Sequence, residues 1–377
     1  MSPLDIGLEL GVTLNIVDEP EAASPPTQTD TAFLIHSVAG SGAPSTEVTQ
    51  VRSSGEAREL YPNDPAITTI TDGYFQIGGG RMFISPLDTD AAAAADAFLP
   101  EYGPGQLIAP EVTAQADQAN LVQWSWDSNH VYLASAPDPA STQGALEGQA
   151  TGLISPEARF SALCGDTVLM PGLAPGTTRE LDGAVATAAL IARSDIATGN
   201  PNLAAAGNHT PGAAGQIDSA VGVVAQRGLD ELRQLANSQV NCFRTVYGQT
   251  RNYGFWTLAD LDTLPQWWDL SGSRTIMALR AREELIAEEL LFGQIAADGL
   301  FLDRYQASLS SVCAEFQRNG AIYGTDREPG YRVDVSMNPT STLATGLVTA
   351  TVVVKTSPFA AALQINLVRR AITQPTT

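Results

Sequence analysis

Residues 64–87 read DPAITTITDGYFQIGGGRMFISPL and carry the signals of a helix, a turn and a strand in succession. The pattern predicts a helix over about residues 66–76, a break at the glycines 78–80 and a strand over residues 81–85. The glycines follow a helix and precede a strand, which is the reverse of the order that binds phosphate in nucleotide sites. This stretch therefore indicates an α/β layer rather than a phosphate-binding loop.

The segments on either side continue the alternation of strands and helices. TAFLIHSVAG (31–40) is a largely apolar strand that ends in a turn, and EVTQVRSSGEARELY (47–61) indicates a short strand and a helical turn. Helix and strand patterns then alternate through DAAAAADAFL (90–99), GQLIAP (105–110), ADQANLVQWSWD (116–127) and HVYLASAP (130–137). Residues 29–137 are therefore predicted to form an α/β domain with a mixed or parallel sheet.

The rest of the chain divides into an irregular part and a regular part. Residues 138–228 are rich in Gly, Ala, Pro and Thr and predict a loop-rich connecting region, with one strand at 166–172 and one helix at 183–195. Residues 229–356 are predicted to form a C-terminal α+β domain, with helices at 229–237, 274–292 and 303–320 and strands at 241–247, 331–335 and 347–355. The predicted fold class is α/β to α+β, with mixed sheets flanked by helices.

Both ends of the chain carry alternating apolar residues, as half-buried strands do. In the N-terminal arm and linker, residues 1–28, the apolar positions are Leu8, Leu10, Val12, Leu14 and Ile16, and in the C-terminal arm, residues 357–377, they are Leu363, Ile365 and Leu367. Two interpretations remain open. Ordinary topology favours strands that fold back onto the sheet of their own chain, whereas strands tethered by linkers can also add to the sheets of other copies.

Composition places the chain among globular proteins with little affinity for nucleic acid. Of its 377 residues, 44% are hydrophobic, and 41 acidic residues against 20 basic ones give a net charge of -21. This acidity serves solubility or matches a basic partner, and it argues against a phosphate-binding surface. The sequence has neither an apolar run of membrane-spanning length nor a secretion-type start, so we expect cytosolic synthesis.

Residues that carry enzyme chemistry are few and poorly spaced. The three histidines, His36, His130 and His209, lack triad or ligand spacing, and the widely spaced Cys164, Cys242 and Cys313 fit reduced, buried thiols. Glu283, Glu284, Glu288 and Glu289 point around one helix, where Arg280 and Glu284 form a predicted surface pair. We therefore predict no catalytic, cofactor-binding or metal-binding residues and no enzyme activity; the alternative is a small-ligand or cofactor-binding α/β enzyme that uses residues 31–137.

Several colinear motifs carry a resemblance to a known family. They are GVTLNIVDEP (11–20), TITDGYFQIGGGRMFISPL (69–87), VATAALIARSDIATGNPNLAAAGN (185–208), LANSQVN (235–241), YGFWTL (253–258), DLSGSRTIMALRAREEL (269–285) and GAIYGTDREPGYRVDV (320–335). In this order they resemble the contractile tail sheath proteins of bacteriophages and related contractile injection particles. The chain departs from the family pattern at Ala206-Gly207-Asn208, where Pro-Ala-Asn is expected, and at Gly254-Phe255-Trp256, where the Trp-Gly order is changed.

The resemblance implies a structural subunit that polymerises as stacked six-fold rings around a tail tube and contracts to drive the tube through a cell envelope. It also implies that the terminal arms add to sheets of neighbouring subunits. The receiving sheet would then be built by residues 331–335 and 347–355, with Val333, Val335, Val352 and Val354 as further subunit-interaction residues. No cofactor is implied.

The resemblance further implies which partners the subunit meets. Besides other copies, these are the tail tube protein and the baseplate and tail terminator proteins, with membrane contact only indirectly through tube penetration. Such a protein is made in the bacterial host cytoplasm and resides in the virion tail or contractile particle. Arg274, Arg280 and Arg282 are candidates for facing the tube, because a basic surface can hold an acidic tube. They can equally be ordinary arginines of a helix surface.

Overall fold

The computed structural model describes residues 29–37, 47–87, 90–98, 102–172, 174–208 and 215–361. Its largest sheet is built from β1 (Ala32–His36), β2 (Thr49–Val51), β3 (Met82–Pro86), β4 (Gln106–Ile108), β5 (Val131–Ser135), β6 (Ser161–Cys164) and β11 (Val240–Asn241). Their spatial order is β11-β6-β5-β4-β1-β3-β2. All neighbouring strands run parallel except β2, which runs antiparallel to β3, so the predicted mixed sheet is confirmed.

Helices cover both faces of this sheet. They are α1 (Ser54–Leu60), α2 (Pro65–Ile77), α3 (Ala91–Asp96), α4 (Gln115–Asp127), α5 (Gln143–Leu153), α6 (Gly183–Thr198) and α7 (Leu229–Asn237). Successive residues of β1 point to opposite faces, so Leu34 packs in the core that includes α2 and α6, and Phe33 packs in the core that includes α3, α4, α5 and α7. The architecture is therefore three-layered.

The stretch from α2 to β3 forms as its sequence predicts. Asp64 caps the helix, because its Oδ1 accepts hydrogen bonds from the backbone N–H groups of Ala66 (3.0 Å) and Ile67 (2.9 Å), and Pro65 occupies the first turn. Gly78 ends the helix with a φ of 110°, a conformation that favours glycine. The observed bounds lie within one residue of the predicted ones at each end.

The prediction of a loop-rich region is wrong for residues 143–164, where the structure has α5 and β6. Helix α5 contains three glycines, which lower its intrinsic helical preference, and its sequence pattern is only weakly amphipathic. Burial of Leu146, Ala150 and Leu153 against the sheet stabilises it nonetheless. The structure also places α7 and β11 in the layers of the large sheet, so residues 229–241 pack with the preceding region.

Two small antiparallel sheets complete this body. One is formed by β7 (Val168–Pro171), β8 (Thr178–Leu181) and β10 (Gly222–Val223), and the other by β9 (Gln216–Ile217), β12 (Phe243–Val246) and β13 (Gln249–Asn252). Of the helices in the described residues, none has both the length and the apolar character to cross a membrane.

The C-terminal elements surround a smaller core of their own. They are α8 (Leu270–Leu290), α9 (Leu300–Arg318), β14 (Tyr331–Asp334), α10 (Thr340–Leu343) and β15 (Thr351–Val354). Leu279 of α8, Leu309, Val312 and Phe316 of α9, and Val333 of β14 are buried together. The long predicted helices and the strand at 331–335 are thus confirmed. Of the strand predicted at 347–355 only Thr351–Val354 forms, because the Asn338 side chain instead of a strand partner binds the backbone of Thr349. The predicted strands in residues 1–28 and 362–377 lie outside the described residues.

Candidate assembly surface

The hairpin of β14 and β15 presents one face to α9 and the other to solvent. Its antiparallel register pairs Tyr331 with Val354 and Val333 with Val352, and these four side chains pack against the C-terminal core. Val353 lies on the other face and is 56% exposed. The hairpin is therefore a half-buried, two-stranded sheet, which is stable only when it packs on other elements.

One edge of β15 is occupied along its whole length. The backbone N–H of Lys355 donates to the carbonyl of Gly330 (2.8 Å), which continues the ladder with β14. Beyond that point the backbone N–H of Tyr323 donates to the Lys355 carbonyl (2.7 Å), and the N–H of Ser357 donates to the Ala321 carbonyl (2.9 Å). This edge therefore anchors β15 to the end of α9.

The opposite edge of β15 is open in the described part of the chain. In an antiparallel ladder, the N–H and C=O groups of one residue point to the same side and successive residues alternate. Since Lys355 bonds to the β14 side, the backbone groups of Val352 and Val354 point away from β14. No described strand pairs with them, and we call these groups the open edge of β15.

The outer edge of β14 is less accessible than the open edge of β15. The Nε2 group of Gln306 on α9 donates to the carbonyl of Val333 (3.0 Å). An incoming strand would have to displace this bond. The two edges of this small sheet are therefore not equivalent acceptors.

The structure places the four predicted valines on the expected segments, but mostly on the inner side of the hairpin. Val333 is buried, and Val335, Val352 and Val354 are half-buried. Their side chains are already used within the subunit, so Val352 and Val354 offer their backbone groups rather than their side chains. The arm residues from Leu8 to Ile16 and from Leu363 to Leu367 lie outside the described residues, and their role stays a prediction.

Arg274 cannot contact a tube directly, which corrects the prediction for this residue. It is fully buried, forms an ion pair with Asp195 of α6 through Nη2, and donates through Nη1 to the carbonyl of Pro201 (2.9 Å). The Thr29 hydroxyl donates to the same Asp195 carboxylate (2.6 Å). Burial raises the pKa of Asp195, and the Arg274 guanidinium opposes that rise. This cluster joins the first described residue to α6 and α8.

The two remaining candidate arginines are accessible but lie on different sides of α8. Arg280 is 44% exposed and pairs with Glu284 at 2.9 Å, as predicted, while Arg282 is 32% exposed and pairs with Glu315 of α9 at 3.0 Å. A helix turns by about 100° per residue, so positions two apart point about 200° away from each other. The predicted cluster of three arginines is therefore not a single surface.

The structure gives one histidine acidic neighbours that its sequence position did not suggest. His36 ends β1, with Nε2 3.0 Å from Asp64 Oδ2 and Nδ1 3.2 Å from Glu111 Oε1. Because the other oxygen of Asp64 caps α2, this contact ties the strand end to the helix start. His130 is buried, and burial lowers its pKa to about 4. His209 lies outside the described residues.

The three cysteines match the sequence interpretation. Cys164, Cys242 and Cys313 are free and buried, and burial raises the pKa of Cys164 and Cys313 to about 12. Such thiols are protonated at neutral pH and react slowly. Within the described ranges, no group of three or more His, Cys, Asp or Glu residues is arranged to hold a metal ion.

Comparison with solved structures shows which fold this is. The chain is similar to the helical sheath of the anti-feeding prophage in its contracted state, at 19% identity over 96% of this chain and 100% of the other, with a TM-score of 0.70. It is also similar to a chain of the six-fold symmetrised baseplate of that particle, at 17% identity over 94% and 98% of the chains (TM-score 0.70). A third match is the contracted sheath complex of an extracellular contractile injection system, PVC, at 15% identity over 91% and 92% (TM-score 0.71).

These similarities establish the fold. No protein-family profile and no curated protein matches the sequence. The chain has the fold of contractile sheath components, which the colinear motifs of the sequence had indicated. Two of those motif stretches, around Asp195 and Arg274, meet in the buried ion pair.

Proposed function

We propose that this protein is the structural subunit of a contractile sheath. It polymerises as stacked six-fold rings around a tail tube and contracts to drive the tube through a cell envelope. The observation that supports this is the similarity over nearly the whole of both chains to sheath components of contractile particles. These neighbours favour a structural role over the alternative of a cofactor-binding enzyme.

Assembly by strand addition follows from the open edge of β15. The arm of another copy gains main-chain hydrogen bonds there, and its alternating apolar side chains find a hydrophobic face. The linker of residues 18–28 spans about 36–40 Å when fully extended, so an arm can reach beyond its own subunit. Each such contact is head-to-tail and propagates into a helical polymer.

The proposed role as a sheath subunit also indicates which molecules the protein binds. We propose that the subunit binds other copies of itself, the tail tube protein, and the baseplate and tail terminator proteins, and that it meets membranes only through tube penetration. One of the similar structures is a component of a baseplate. The net charge of -21 disfavours nucleic acid as a partner. Synthesis takes place in the host cytoplasm and residence is in the virion tail or contractile particle.

Electron microscopy of the purified full-length protein tests the proposal. We expect tubes of stacked rings with six-fold symmetry, alone or on added tail tube. Sedimentation velocity over a range of protein and salt concentrations provides the quantitative companion measurement. A monomer that forms no tubes in any of these conditions, with or without the tail tube, would contradict the proposed function.

A charge-reversal variant tests the tube contact of α8. We expect Arg280→Glu combined with Arg282→Glu to weaken assembly on the tube, most strongly at low salt, because exposed charges act over about 10 Å at 0.1 M salt. The fold should persist, since each surface ion pair contributes at most about 1 kcal/mol. Arg233→Glu, which removes a more exposed pair on α7, is the control for charge reversal away from α8. Unchanged assembly of the double variant on the tube would exclude both arginines.

A further inference from the structure

The turn between α8 and α9 and the segment before β15 enclose an apolar groove. Its cavity measures about 500 Å³, which lies within the range of specific binding sites. The lining side chains include Ala287, Leu290, Leu291, Phe301, Tyr305 and Leu347. Most of the lining surface is thus contributed by hydrocarbon and aromatic groups.

The rim of this groove exposes large side chains to solvent. Phe292 is 98% exposed, Leu347 58% and Leu291 57%. Phe292 has a φ of 62°, a left-handed conformation that is uncommon for a bulky residue. An exposed apolar surface of this kind marks a contact with another molecule.

The groove lies close to the start of β15. Leu347 and Val348 line it and precede the strand by a few residues. A chain that pairs along β15 toward its start therefore approaches the groove. The strand itself has four residues, which is about 13 Å of ladder.

The N-terminal segment of the chain is longer than this ladder. Apolar residues alternate without a break from Leu4 through Ile6 and Leu8 to Ile16, a stretch that spans about 40 Å as a strand. Pairing with β15 uses only part of it. The remainder needs a second apolar surface.

We propose that Leu4 and Ile6 of another copy occupy the groove while later residues of the same arm pair with β15. This inference rests on the proposed function, and it specifies the surface that Leu4 and Ile6 of the arm contact. The alternative orientation would bring Asp18 and Glu19 to the groove, next to the exposed Glu288 and Glu289 of α8. The segment around Leu4 and Ile6 brings one carboxylate, Asp5, instead of two adjacent ones, and therefore meets less repulsion from these glutamates.

The chain's own C-terminal segment is a poorer candidate for this position. It follows Phe359, whose ring lies 4.9 Å from Trp268 and 5.6 Å from Trp256, centroid to centroid. This aromatic cluster follows the Lys355 end of β15, whereas the groove precedes the Thr351 end.

Disulfide trapping between two full-length copies tests the proposal. One copy carries Ile6→Cys and one affinity tag, and the other carries Leu291→Cys and a second tag; the three native thiols are buried. After mixing and oxidation under assembly conditions, we expect a disulfide-linked dimer with both tags, because a disulfide requires Cα atoms within about 7 Å. The same reaction with Ile16→Cys in place of Ile6→Cys should give much less product.

The outcomes separate this proposal from the proposed function. Three results would overturn the groove assignment and leave the sheath role intact. These are tubes that form without the disulfide between positions 6 and 291, a disulfide formed within one chain, and a higher yield of the disulfide with Ile16→Cys. Absence of tubes for the unmodified protein would overturn the sheath role itself. As a second variant, Ala287→Trp fills the groove and should raise the critical concentration for assembly about tenfold or more. Ala307→Trp, at an exposed position of α9 away from the groove, should leave the critical concentration unchanged and serves as the control.

Discussion

Removal of residues 1–20 is expected to yield a folded monomer that no longer polymerises. The large sheet, its helices and the C-terminal core pack on one another through residues from Thr29 onward, so we expect the fold to persist without the deleted residues. The deletion removes the strand that the open edge of β15 is proposed to receive. Each aliphatic side chain lost from an interface contributes about 1.5–3 kcal/mol when fully buried, so loss of the arm should weaken association between subunits by several kcal/mol.

Sedimentation velocity and electron microscopy measure the loss of polymer, and thermal unfolding measures the retained fold.

A pair of full-length substitution variants separates the role of the arm's apolar face from the role of its length. Serine at positions 8, 10, 12, 14 and 16 should block assembly, whereas serine at the alternating positions 9, 13 and 15 should not, because only the first set faces the receiving core. Polymerisation of the truncated protein at normal yield would show that the arm is not the link between subunits.

The sequence predicted those parts of the fold whose local signals and tertiary environment agree. In α2, capping by Asp64, the periodic isoleucines and the terminal Gly78 all favour the same helix, and the observed bounds match. In α5, three glycines weaken the local signal, and only packing of Leu146 and Ala150 on the large sheet decides the conformation. Tertiary contacts of that kind cannot be read from a single segment.

The sequence predicted which segments form the assembly surface, but not which strand edge stays open. Residues 331–335 and 347–355 have strand patterns, but hydrogen-bond register decides which edge stays open, and register depends on both strands together. Lys355 and Gly330 set that register here. The same limit applies to Arg274, since helix propensity and charge do not reveal that its side chain points toward Asp195 rather than into solvent.

The ion pair of Arg274 and Asp195 carries the second large expected effect, which is on stability. Both side chains are buried, and the carboxylate also accepts the hydroxyl of Thr29. Arg274→Met is expected to lower the free energy of unfolding by about 3–5 kcal/mol, because it leaves Asp195 as an uncompensated buried charge. Urea denaturation measures this loss. Arg280→Met on the same helix removes only an exposed pair and should cost about 1 kcal/mol or less.

The destabilisation caused by Arg274→Met should also depend on pH, in a direction that follows from the pKa of Asp195. Burial already raises the pKa of Asp195, and removal of the guanidinium raises it further. A carboxyl group whose pKa is higher in the folded than in the unfolded protein binds more protons when folded, so its stabilising contribution is present at low pH and is lost as the pH rises through the folded value. The destabilisation should therefore be larger at pH 7 than near pH 4, and Asp195→Asn in the same variant should restore part of the stability at pH 7. If Arg274→Met lowers the free energy of unfolding no more than Arg280→Met does at both pH values, then the ion pair does not hold α6 and Thr29 to α8. The hydrophobic cores alone would then fix the position of Thr29.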